Sequence, residues 1–155
     1  MVVNPRAGVG MEAQGPMDLI HLAGIGGNSV VLRVTGQEVG ASEQGPDVLV
    51  GEISVGTRFV RGSIKTWIFP QDLTDWETAL DTLAGGESIA WREDKRATEL
   101  HVDLEEDLER ATVSVADRSM SLTTVQVTID LADGWLEDHR ARLDRVRQAW
   151  PMRRS

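Results

Sequence analysis

The chain contains no cysteine, which removes disulfide frameworks, thiolate zinc sites, iron–sulfur clusters and cysteine nucleophiles from consideration. No stretch approaches the roughly 18 to 20 consecutive apolar residues of a membrane-spanning helix, and the N-terminus lacks the basic-then-apolar order of a secretory signal. A cytoplasmic protein without membrane association is therefore expected. Tyrosine is absent, phenylalanine occurs twice, and lysine occurs twice against fourteen arginines. We read the arginine excess as the codon bias of a GC-rich bacterial genome rather than as a row of guanidinium sites. There is no HExxH pair, no Walker loop and no GxSxG elbow. Gly24-Ile25-Gly26-Gly27 follows a strand-like segment, but a dinucleotide fingerprint needs glycine where Ser29 stands and a helix where a strand continues. It reads as a hairpin turn. No catalytic residue, resident metal or cofactor is assigned.

What is present describes one folded unit. At 155 residues with 41% apolar and 26% charged side chains, the chain can bury a substantial core unaided. Residues 1–16 (MVVNPRAGVGMEAQGP) mix glycine, proline and small residues without period and read as a disordered leader, with Met11 and Met17 as alternative start codons. A single domain over 17–151 and a short basic tail over 152–155 follow. The net charge of −9 is unevenly placed. The leader sums to zero, and residues 134–155 hold six arginines against Glu137, Asp138 and Asp144, which leaves −12 on residues 17–133. Such a body repels nucleic-acid phosphates and attracts a basic protein partner.

The hydrophobic period assigns the elements. Asp18–Ala23 and Ser29–Thr35 read as two strands around the glycine turn, Gly36–Pro46 as a loop, and Asp47–Val55 and Thr57–Phe69 as two further strands. In the last of these Val60, Ile64 and Ile68 share one face and Phe59, Trp67 and Phe69 the other, which predicts a central strand covered on both sides. After Pro70 the period becomes 3.6: Leu73, Trp76, Leu80 and Leu83 form one stripe, with Thr74 and Glu77 at capping-box spacing and Gly85-Gly86 as the stop. Shorter strands are expected at Glu87–Arg92, Thr98–Leu104, Arg110–Ala116 and Leu122–Asp130. A second helix runs to Trp150, capped by Asp133. The fold class is α+β: about eight mainly antiparallel strands in a curved or two-layer sheet, with covering helices at about 74–84 and 134–150. Asp72-Leu73-Thr74-Asp75-Trp76 and Asp130-Leu131-Ala132-Asp133-Gly134-Trp135, 58 residues apart, echo each other. Either a four-strand-plus-helix unit is duplicated or two strand-to-helix junctions match by chance.

Candidate binding residues concentrate in the second half. Leu100, Val102 and Leu104 point inward, so Glu99, His101 and Asp103 occupy the wet face of one strand. They read as a solvated face, or as a partner-binding surface continued by Glu105, Glu106 and Asp107. A histidine beside carboxylates also permits base catalysis or metal binding through His101 and Asp103. Of five tryptophans, four are explained by packing, and Trp91 is the one expected to face a partner. Three functions follow: a non-catalytic binding protein with an acidic surface for a basic partner; a small-molecule binder with a tryptophan-lined pocket; and a metal-dependent or hydrolytic enzyme using His101 and Asp103.

From Met17 to Pro151, the strand order with the stretch Phe59–Leu83 (FVRGSIKTWIFPQDLTDWETALDTL) and the ending Val125–Trp150 resembles a family of small uncharacterised proteins, a domain of unknown function, from GC-rich filamentous bacteria. The segment of strand, aromatic, DLxxW, leucine helix and GG is also similar to immunity proteins of bacterial toxin systems. The first resemblance implies no activity. The second implies a protein partner.

Overall fold

The computed structural model describes residues 15–38, 47–93 and 95–152. Most of the expected leader, residues 39–46 of the expected loop and the last three residues of the basic tail lie outside them. In chain order the elements are β1 (Met17–Ala23), β2 (Ser29–Glu38), β3 (Val48–Gly56), β4 (Arg61–Ile68), α1 (Pro70–Ala84), β5 (Ile89–Trp91), β6 (Glu99–Leu104), β7 (Arg110–Ala116), β8 (Thr124–Asp130) and α2 (Trp135–Ala149). The strands form two four-stranded sheets in the orders β1-β2-β3-β4 and β5-β6-β7-β8, every pairing antiparallel. The α+β class with two sheets and two helices is as the periodicity indicates.

Each half is thus a meander followed by a helix, but neither helix stays with its own sheet. Helix α1 follows β4 and lies against β5, α2 follows β8 and lies against β1, and the two helices touch each other. Leu73, Trp76, Leu80 and Leu83 therefore share one buried cluster with Leu143, Val146 and Trp150. The sheets are also laced end to side. Asn28 Nδ2 donates to the Thr128 carbonyl at 2.9 Å, and Gly24 lies so close to β8 that a Cβ there would stand 3.0 Å from the Asp130 nitrogen. In the other half the Arg92 guanidinium donates to the Trp67 carbonyl at 2.9 Å. Strands β8 and β4 are thus each sealed along part of the open edge by a side chain from the other half, which protects an edge that would otherwise pair with foreign chains.

The architecture repeats, though not in the register of the sequence echo. The 3-4-3 stripe Leu73-Trp76-Leu80-Leu83 recurs as Leu136-His139-Leu143-Val146, 63 residues on, and β4 and β8 also begin 63 residues apart. Trp76 thus corresponds to His139, and the two rings meet edge to face with centroids 6.4 Å apart. The echo at 58 residues joins Asp72–Trp76, inside α1, to Asp130–Trp135, which straddles the end of β8 and the start of α2.

Four local expectations are corrected. Strand β4 is an edge strand rather than a central one. Its odd-numbered face is solvated, with Phe59, Trp67 and Phe69 all exposed, and the Lys65 ammonium covers the Trp67 ring at 5.1 Å. Helix α1 starts at Pro70, and it is Asp72 that reaches back to the Phe69 N–H, at 2.9 Å. Thr74 donates instead to the Pro70 carbonyl within the helix. Helix α2 is preceded by Gly134 in the left-handed conformation, φ 76°, rather than capped by Asp133. Finally, β2 continues to Glu38 through a bulge between Val34 and Gly36. The predicted stop of α1 is observed. Gly86 has φ 85°, its N–H meets the Leu83 carbonyl at 2.9 Å and the Glu87 N–H meets that of Thr82 at 3.2 Å, a Schellman closure.

Candidate functional site

The second sheet carries the residues singled out from the sequence, and the structure divides them among three environments. Trp91 lies in the interior, 1% exposed, with its indole N–H donating to the Asp72 carbonyl at 2.9 Å and its ring 5.3 Å from that of Trp76. The expectation that Trp91 faces a partner is corrected. A strand of only three residues lets α1 descend onto its end, which short-range periodicity does not reveal.

Glu99 also departs from expectation. It is 6% exposed rather than solvated, because Arg118 from the β7–β8 hairpin folds over it, Nε to Oε2 at 3.2 Å. The other carboxylate oxygen meets His101 Nε2 at 3.1 Å. These three residues line an open depression with Glu93 and Arg96. Asp103 shares the outer face of β6 but lies on the other side of His101 from this depression. It is exposed and makes no ion pair among the described residues. His101 is thus oriented by Glu99, not by Asp103. Among the described residues no group of three histidine, aspartate or glutamate side chains is placed to hold a metal ion.

The remaining residues mark the opposite end of the same sheet. Asp103 leads into the β6–β7 turn, where Glu105 is half-buried and Glu106 and Asp107 are exposed. The turn is held by the backbone, Glu105 N–H to the Arg110 carbonyl and Leu108 N–H to the Glu105 carbonyl, each 2.9 Å. Asp107 Oδ1 accepts from the Glu109 N–H at 2.9 Å. Glu87 joins the group, because the neighbouring Ser88 hydroxyl accepts from the Leu104 N–H at 3.3 Å. Arg110 is bound to Asp130. One end of the sheet therefore shows six carboxylates and one already paired arginine.

Two polar residues lie inside the molecule: His139, whose place on the apolar stripe of the second helix reads from sequence as a packed or partly exposed core histidine, and Arg92, which the sequence does not mark. His139 is 1% exposed: Nδ1 lies 2.7 Å from the Trp135 carbonyl and Nε2 accepts the His21 backbone N–H at 3.0 Å. These partners fix a neutral imidazole protonated on Nδ1, and burial pushes its pKa below the ordinary 6.5. The ring closes the open edge of β1, helped by Arg142, which donates to the Asp18 carbonyl at 3.3 Å. Arg92, 3% exposed, donates to Thr98 O, Trp67 O and the Thr66 hydroxyl and stands 3.8 Å from Asp72. Desolvation lowers its pKa below the ordinary guanidinium range while Asp72 opposes the shift. Both residues are joints of the fold. Their only sequence signal is that a histidine falls on an apolar stripe and an arginine ends a short apolar strand.

The tryptophans do not converge. Trp76 and Trp91 touch in the core, Trp150 lines a groove with Pro70 and Arg147, Trp135 borders a different hollow with His21, and Trp67 lies on the outer face of the first sheet.

Residues 17–151 match a family described as a family of unknown function, DUF5959. No curated protein and no solved structure matches the chain.

Proposed function

Because the chain belongs to the DUF5959 family, which supplies no activity to inherit, we propose from its own residues that it is a non-catalytic binding protein whose acidic end engages a basic protein partner. The observation that carries the reading is the group of Glu87, Asp103, Glu105, Glu106, Asp107 and Glu109 around one end of the second sheet. Several carboxylates elsewhere are matched within the molecule, among them Asp81 and Glu77 of α1, which bind Arg140 and Arg147 of α2 at 2.8 Å each. A concentrated field of one sign steers association and selects partners more than it adds raw affinity. Glu99, held by Arg118, and Trp91, in the core, take no part. The setting we propose is the cytoplasm of a GC-rich bacterium. The sequence likeness to immunity proteins makes a toxin the kind of partner to look for first.

The test is association with basic proteins and with polylysine at low and high salt, comparing the wild type with the triple variant Glu105→Lys, Glu106→Lys, Asp107→Lys. Binding that weakens with salt and is lost in the triple variant is expected. Binding indifferent to both would end the proposal.

A second reading rests on the 3.1 Å contact between His101 and Glu99, a carboxylate-oriented imidazole at the edge of a depression. Hydrolytic activity toward small esters that disappears in His101→Ala would favour it, and unchanged turnover in that variant would remove it.

A further inference from the structure

The β3–β4 and β7–β8 hairpin tips carry large apolar side chains that stand almost free in water: Phe59 is 96% exposed, Met120 85% and Leu122 70%. Scattered exposed apolar residues are ordinary on any surface. Three further observations set these apart.

The two tips border one cleft of about 130 Å³, walled by Ile53, Val55 and Ile64 of the first sheet and by Val115 and Val125 of the second. Taking about 30 Å³ for a water in the liquid, that is roughly four waters, room for one leucine-sized side chain. The cleft opens where β4 and β8 begin. Farther along, the same two edges are sealed by Arg92 on Trp67 and by Asn28 on Thr128.

Both tips are also held in shape. The Thr57 hydroxyl accepts the N–H groups of Phe59 and Val60 at 3.0 and 2.8 Å. Asp117, shielded at 6% exposure, accepts the N–H groups of Ser119, Met120 and Ser121 and the hydroxyls of Ser119 and Ser121. The Ser121 contacts, followed by the amide of Ser119, hold its carboxyl well below the usual range. Leu122 sits at φ 57°, a left-handed geometry that is strained for a residue with a Cβ. A strained leucine whose side chain points to water contributes little to the core, and strain of this kind collects at binding sites.

The third observation is charge. Eight basic side chains of the described residues form ion pairs with carboxylates. Of the five that form none among the described residues, Arg58 and Arg61 flank Phe59 and Val60 and stand together at one tip, whereas Lys65, Arg96 and Arg145 lie on β4, the β5–β6 loop and α2, in a chain of net charge −9.

We infer that this cleft docks an extended peptide segment carrying one apolar side chain flanked by carboxylates. The apolar side chain fills the cleft, Phe59, Met120 and Leu122 close over it, and the two free guanidinium groups receive the carboxylates. Tips already fixed by Thr57 and Asp117 lose little freedom on binding, which is the main saving a preorganised site offers. A bilayer has no use for a cleft one side chain wide, and an anionic one repels the acidic body. A second copy related by a two-fold axis would set Arg58 and Arg61 against their own kind. The ligand's charge is opposite to that sought by the acidic end, so each proposal survives the failure of the other.

The test is fluorescence anisotropy of the full chain with labelled peptides. One set has a central leucine or phenylalanine between Asp and Glu residues, a second replaces the apolar residue by serine, and a third replaces the acids by lysine. Saturable binding of the first set is expected, at least tenfold weaker for the other two and for the variants Phe59→Ser and Arg58→Glu/Arg61→Glu. Melting curves confirm that these variants, altered only at exposed residues, remain folded. Absence of saturable binding, equal binding of lysine-flanked peptides, or indifference to both variants would overturn the assignment. So would Phe59-dependent dimerisation in sedimentation, or Phe59-dependent binding of phosphatidylserine vesicles without peptide binding, which would hand the cleft to a second copy or to lipid.

Discussion

His139 occupies the place on α2 that Trp76 occupies on α1, and the exchange of an indole for an imidazole gives the molecule a polar bond where a purely apolar contact would leave the His21 N–H unpaired. Because burial lowers its pKa, the native state binds fewer protons than the unfolded chain below the ordinary value of 6.5. Stability is therefore constant in this respect at higher pH and declines as pH falls through about 6.5 and below. Denaturant melts of the wild type and of His139→Gln should differ in that window: the variant, weaker at neutral pH by about 1–3 kcal/mol for an imperfectly satisfied buried amide, should lose this part of the acid decline. Parallel pH profiles would show that His139 does not carry it. At this scale the sequence was partly legible. Alternation along β6 assigns Leu100 and Val102 inward, but cannot show that Arg118, nineteen positions beyond Glu99, folds back to bury it, since strand period reports a side chain's direction and not what arrives from another hairpin. Trp91 and Arg92 were opaque for the same reason: their partners Asp72, Thr66 and Trp67 are about twenty or more residues away.

Helices and hairpins were the most legible level, because their signals are local. The Leu73-Trp76-Leu80-Leu83 stripe and the paired glycines after it fix α1 and its end from sequence alone. The error at its start has a physical source: Pro70 suits the first helical turn, where its missing N–H has no intrahelical partner to lose, so the helix begins four residues before the Thr74-Glu77 pair. Gly86 at φ 85° supplies the closure of α1. Gly86→Ala should lower stability by about 1–2 kcal/mol, the cost of a left-handed backbone for a residue with a Cβ. There is room for the methyl, with only Leu108 approaching 3.9 Å, so a calorimetric scan showing an unchanged midpoint would mean the closure is made some other way. The misplacement of β4 at the sheet centre illustrates a limit of pattern reading. Alternating Phe59, Trp67 and Phe69 imitate a second buried face, yet they are exposed, and whether a strand is central or terminal depends on order in the sheet, which periodicity does not encode.

For the molecule as a whole, the decisive feature is that each helix covers an edge strand of the other half. Residues 15–86 alone would leave the α1 stripe and the open edge of β1 in water, and residues 87–152 would leave α2 and β5 uncovered. Expressed separately, each piece should be unfolded or aggregated by circular dichroism and light scattering. Mixed or co-expressed, the pieces should form a one-to-one complex with native-like spectra, and an independently folded, monomeric half would contradict the interlocked core. The same interlocking makes one cooperative unfolding transition the expected behaviour of the intact chain. Composition and charge counts anticipate two apolar layers and an acidic surplus, but not that six carboxylates gather at one end of the second sheet while two arginines of α2 pair with α1. It also bears on ancestry. A lone meander with its trailing helix has an apolar stripe for which its own sheet has no berth, together with a berth it cannot itself occupy. A gene encoding one such unit could yield a folded product only as a symmetric pair, each member lending its helix to the other, and joining two copies end to end would make that mutual loan permanent within a single polypeptide.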